Sequence, residues 1–103
     1  MECADEIIDF LNKHGLDYEV TSINIKNVDG INPNYYNIWS DSLGTNISTN
    51  GFHKGVLFDN KIYDNINPHG IKLEEWLSDL VISYKNGSVD LLQLYNAGVL
   101  KLN

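Results

Sequence analysis

The stretch "NGFHKGVLFDNKIYDN", residues 50–65, constrains the fold more than any other part of the chain. Residues 52–58 and 61–65 are two apolar-alternating runs separated by Asp59-Asn60, the pattern of two strands joined by a tight turn. Both turn residues tolerate positive φ, so a two-residue hairpin fits. That turn pairs Phe58 with Lys61, Leu57 with Ile62, Val56 with Tyr63 and Gly55 with Asp64. Side chains alternate across a strand, so His53, Gly55 and Leu57 share a face with Ile62 and Asp64. His53 and Asp64 become diagonal neighbours, about 7–8 Å apart at the backbone and closer at their tips. Gly55, across from Asp64, is expected to leave room for the imidazole and carboxylate to meet. A turn displaced by one residue would pair Leu57 with Asp64 and separate the two groups.

Around this hairpin the chain reads as one domain over residues 1–103, long enough to form a modest core without disulfides or metal. Its formal net charge of −7 argues against a general phosphate-backbone binder and against an anionic membrane surface. The same charge fits a basic partner. One cysteine excludes an internal disulfide framework. There is no run of about eighteen apolar residues that would span a membrane. The start, "MECADEII", lacks a signal-peptide pattern, so the address of an exported molecule would lie in a larger parent chain.

Residues 4–14 predict a helix, with Ala4, Ile7, Ile8 and Leu11 on one face, acids in the first turn and Gly15 as its stop. Residues 17–26 predict a strand. Residues 27–34 read as loop, 35–39 as a short strand, and Asn46–Ser48 as another. Residues 72–83 predict a helix with Leu73, Trp76, Leu77, Leu80 and Val81 on one face, ended by "KNGS". The tail, 89–102, fits helix or strand. The order of helix, strands, hairpin and helix implies an α+β fold with helices packed on a small antiparallel sheet.

An imidazole held by a carboxylate has a fixed tautomer and a basic second nitrogen. The candidate nucleophile it would serve is Cys3, in the first turn of the first helix, where unpaired N–H groups and the dipole lower a thiol's pKa. A protonated His53 nearby would lower it further; Glu2, Asp5 and Glu6 oppose it. Each residue also has a plainer reading. A lone cysteine is commonly a small buried hydrophobe, His53 a strand residue, and Asp64 or Asn65 the start of an Asx-turn. His14 suits a helix C-terminus and His69 a loop. Cys3 and the three histidines show no metal-ligand spacing, which excludes a zinc site of ordinary pattern. Trp76 reads as core, as do Trp39, Tyr35 and Tyr36, which alternatively line a cleft.

Taken together, "ECA" opening a helix, then "NGFHKGV", then "YDNINPHGIKLEEW" resembles the papain-fold toxin domains of bacterial polymorphic toxin systems, in particular the group called papain fold toxin 2. The resemblance runs in order over most of residues 2–80. It implies a reduced papain-like fold: an N-terminal helix bearing the cysteine, a small antiparallel sheet bearing the histidine, and a further C-terminal helix. It implies Cys3 as nucleophile, His53 as base and Asp64 as the orienting residue, with Asn65 as the alternative third member.

The activity it implies is that of a cysteine hydrolase or acyl transferase: peptidase, glutamine deamidase or transglutaminase. A protein or peptide substrate and a cognate immunity protein are the implied partners, without nucleic acid, membrane or cofactor. Delivery to a target cell's cytoplasm within a larger exported protein is the implied location. Two departures stand out. Papain-like enzymes place a polar oxyanion residue shortly before the cysteine, yet only Met1 and Glu2 precede Cys3; Ser48 and Asn50 are the candidates for that donor or for the site rim. Asn67 stands where relatives often carry histidine. The other reading, from a different class, is a catalytically inactive acidic binding module or an immunity-type partner protein.

Overall fold

A computed structural model describes residues 2–31, 36–85 and 87–103, without the side chains of residues 2–5. In chain order the elements are α1 (Glu2–Lys13), β1 (Glu19–Asn24), a 3-10 turn (Ile25–Asn27), β2 (Ile38–Ser40), β3 (Thr45–Ser48), β4 (Phe52–Phe58), β5 (Lys61–Tyr63), α2 (Leu73–Asp79), β6 (Leu80–Tyr84), β7 (Gly87–Asp90) and α3 (Leu91–Asn96). The fold class is α+β, consistent with a reduced papain-like fold. The strands form two antiparallel sheets rather than one, ordered β1-β4-β5 and β3-β2-β6-β7.

The hairpin forms in the expected register. Val56 pairs with Tyr63, Leu57 with Ile62 and Phe58 with Lys61. Asp59 and Asn60 take φ of 53° and 64°, the two positive values that a turn of matching twist requires. On its other side β4 pairs with β1, His53 opposite Ile23.

The helix expected over 72–83 stops at Asp79, and Leu80 and Val81 begin β6. Leu80 is buried either way, so helical spacing could not show the change. The run Leu80–Tyr84 contains β-branched residues and finds strand partners on both sides: Val81 pairs with Trp39 and with Asp90. Asp79 secures the junction by accepting hydrogen bonds from Ser40 Oγ (2.6 Å), Ser42 N (2.7 Å) and Ser42 Oγ (3.0 Å). β6 and β7 accordingly pair as neighbours, Tyr84 opposite Gly87 with Lys85 at positive φ, and Gly87 and Ser88 of "KNGS" belong to β7.

The main core gathers Ile23, Ile25, Ile38, Ile62, Trp76, Leu77 and residues of β6 and α3. A second, smaller cluster seats α1 on the hairpin: Leu11 and Val56, with Ile7, Ile8, Tyr18 and Phe58 packed round them. Val56 and Phe58 alternate with His53 and Leu57 along β4, so α1 covers the face of this sheet opposite to the one that carries His53. The segment ending at Asn103 closes the fold, exchanging backbone hydrogen bonds with Ser22 of β1 in both directions (2.9 and 3.2 Å). Among the described residues no helix is long and apolar enough to cross a membrane.

The expected strand at 35–39 is displaced to Ile38–Ser40; Tyr35 lies outside the described residues. Trp39 is not core. It is 40% exposed, with its indole N–H donated to Asp41. Tyr36 is half-buried under the ammonium of Lys26.

Candidate functional site

His53 enters from the start of β4, and Asp64 from the residue just after β5. The register therefore sets their separation, and the side chains meet: His53 Nε2 lies 2.9 Å from Asp64 Oδ2. The pair is enclosed, at 1% and 0% exposure. Trp76, on α2, donates its indole N–H to the same oxygen at 2.8 Å. Its ring is tilted against the imidazole, with centroids 6.0 Å apart.

The other carboxylate oxygen organises the loop after β5. Asp64 Oδ1 accepts from the N–H groups of Ile66 (3.1 Å) and Asn67 (2.8 Å) and from the Asn67 amide (3.1 Å). Both plain and functional readings of Asp64 thus hold at once: it opens an Asx-type turn and it holds the imidazole. Burial alone pushes its pKa up, but the hydrogen bonds from His53, Trp76 and Asn67, with attraction to His53, more than offset this. The carboxyl is held below its ordinary value of 3.8. An ionised Asp64 only accepts, so Nε2 of His53 carries the proton and Nδ1 is the basic nitrogen.

Space is arranged differently from the sequence expectation. The gap left by Gly55 is not filled by imidazole and carboxylate. A Cβ built there would lie 2.7 Å from Ile62 Cγ2 and 3.3 Å from Trp76 Cζ2, so the glycine admits the core side chains that hold the indole against Asp64. Gly55→Ala is expected to destabilise the domain by about 1–3 kcal/mol through overpacking, read as a lowered midpoint in urea or thermal unfolding.

Of the other candidates, Asn65 is exposed while its neighbour Asp64 takes the imidazole. Ser48 and Asn50 sit at the β3–β4 connection. Ser48 Oγ donates to Asn50 Oδ1 at 2.9 Å, and that oxygen also accepts the Phe52 N–H at 3.1 Å. These bonds shape the turn three residues before His53 and do not reach the imidazole. The Cys3 backbone lies in the first turn of α1; its side chain lies outside the described residues. His14 and His69 are exposed, and among the described residues no group of three His, Cys, Asp or Glu side chains could hold a metal ion.

Two members of the network went unassigned in the sequence. Asn67 could have been suspected from the Asp-x-x-Asn spacing, which suits a side chain returning to the first residue of a turn. Trp76 reads correctly as core, but a buried indole N–H needs an acceptor, and a buried carboxylate is a natural one.

A family model described as papain fold toxin 2 matches residues 1–81, a span that includes α1, the hairpin, Asp64 and Trp76. Neither the curated proteins nor the solved structures give a match to the chain. The family match covers well over half of the sequence and contains the whole His53–Asp64 network: the chain belongs to the papain fold toxin 2 family.

Proposed function

We propose that this domain is a papain-like cysteine hydrolase or acyl transferase acting as a toxin domain, with Cys3 as nucleophile, His53 as base and Asp64 as the residue that orients it. The Cys3 thiol gives its proton to His53 Nδ1, and the thiolate adds to an amide carbonyl. The imidazolium returns the proton to the leaving amine as the C–N bond breaks. The thioester left on Cys3 then passes its acyl group to water or to an amine. Asp64 keeps Nε2 protonated and the ring in place throughout. The Cys3 N–H supplies one donor to the developing oxyanion. Asn50 is the proposed second donor, since its amide nitrogen is not used in the turn. Peptidase, deamidase and transglutaminase reactions share these steps.

The observation that carries this reading is the 2.9 Å bond between a buried imidazole and a buried carboxylate, within a chain of a papain-fold toxin family. One observation favours the alternative, an inactive acidic binding relative: α1 packs on the face of its sheet opposite to His53. Alkylation of Cys3 by iodoacetamide, followed against pH, separates the two. A catalytic thiol is expected to titrate well below about 8.5 and to lose its low-pH reactivity in His53→Ala. His53→Gln, which retains a donor for Asp64, is expected to behave likewise and guards against misfolding of the alanine variant. A thiol that titrates normally and is indifferent to both substitutions would sink the catalytic reading.

A further inference from the structure

A groove of about 250 Å³ runs between α1 and the end of the β4–β5 hairpin. Ile7, Phe10, Phe58, Tyr63 and Pro68 line it with apolar and aromatic surface, and Glu6 brings to it the one charge among the described lining residues. Phe10 is 58% exposed, the most exposed large hydrophobic side chain among those described. A purely apolar occupant would leave the Glu6 carboxylate facing it without a counter-charge. A long side chain with an apolar stem and a cationic end meets both parts of the surface.

We infer that this groove binds an arginine side chain of a partner polypeptide. The guanidinium is planar and weakly hydrated, so it can stack on the rings of Phe10, Phe58 or Tyr63 and meet the Glu6 carboxylate through paired N–H donors. A lysine ammonium, more strongly hydrated, gains less on an aromatic surface. The protein's net charge of −7 favours the approach of such a segment. The groove adjoins the helix that bears the proposed nucleophile, on the face of the sheet opposite to His53. Cys3 precedes Glu6 by three residues in α1, about 5 Å along the helix axis. An arginine held in the groove would therefore present the peptide bonds of its own segment close to the start of α1. Arginine binding itself does not depend on the role proposed for Cys3.

The test is an NMR titration of the isotope-labelled full chain with the tripeptide Ac-Ala-Arg-Ala-NH2, beside the same peptide carrying norleucine or glutamate in place of arginine. Saturable shifts at Ile7, Phe58 and Tyr63 are expected with the arginine peptide, at least about fivefold tighter than with norleucine and weakened by added salt. Glu6→Gln is expected to remove most of that preference, and Phe10→Ala to weaken binding of the arginine peptide. Equal response to arginine and norleucine, or shifts confined to residues outside the groove, would overturn the inference. Absence of shifts at millimolar arginine peptide would do the same. Cys3 alkylation is read separately, so a failed titration with a His53-dependent thiol rejects the groove alone, and the converse rejects the catalytic reading alone.

Discussion

Asp64→Ala is expected to cost about 3–5 kcal/mol of folding stability, the range found when one partner of a buried charged pair is removed. The cost is large because the carboxylate serves three parts of the molecule at once. His53 Nε2 and Trp76 Nε1 converge on Oδ2, while the Ile66 and Asn67 N–H groups converge on Oδ1. Truncation leaves several buried donors without an acceptor, each costing about 1–3 kcal/mol where water cannot replace it. For a domain of this size the loss corresponds to a fall in Tm on the order of 15–30 °C, measurable by circular dichroism. Asp64→Asn is expected to cost less. Its oxygen can still serve the loop, but its NH2 group then faces the indole N–H, donor against donor.

The same carboxylate gives the acid limb of stability. Its folded pKa lies below 3.8, so its contribution is fully present above the unfolded value and is lost as pH falls through the folded one. Urea midpoints measured from pH 6 down to pH 2 are expected to fall for the wild type below about pH 4, and to fall less steeply for Asp64→Asn. Parallel curves would mean that Asp64 is not the linked group.

The second large effect concerns activity. If the proposed roles hold, Cys3→Ala abolishes growth inhibition when the domain is expressed inside a bacterial cell, and lowers hydrolysis of a responsive amide substrate by about 10³-fold or more. Its thermal midpoint is expected to stay near that of the wild type. His53→Gln should abolish inhibition too. Inhibition that survives both substitutions would show that toxicity arises from binding alone.

What the sequence revealed depended on how local the controlling physics is. The β4–β5 hairpin was legible because two alternating runs and one positive-φ turn, all within residues 52–63, determine it. The meeting of His53 with Asp64 followed from that register and nothing more distant. The end of α2 was not legible. Leu80 and Val81 continue the apolar spacing of Trp76 and Leu77, and only pairing with β2, remote in sequence, and with β7, the next strand, makes them strand. The second sheet was hidden for the same reason, since its strands are short and its two local hairpins, β2–β3 and β6–β7, are joined only by the long-range pairing of β2 with β6. Gly55 shows a subtler limit. Its smallness was read correctly as a need for space, but which neighbour uses that space, Ile62 and Trp76, is a matter of tertiary packing.

The backbone bonds between Ser22 and Asn103 have a consequence for the order in which the molecule assembles. A chain emerging vectorially, from a ribosome or through a translocation channel, can close the β4–β5 hairpin as soon as residue 67 is free, because His53 and Asp64 are only 11 positions apart. The outer edge of β1 must wait for the segment ending at Asn103. Until then Ser22 presents an open strand edge, a ready template for pairing with another chain. The imidazole–carboxylate pair is thus expected to be an early event and edge closure a late one. A chain interrupted before residue 100 would hold a nearly complete hairpin on a sheet still prone to self-association.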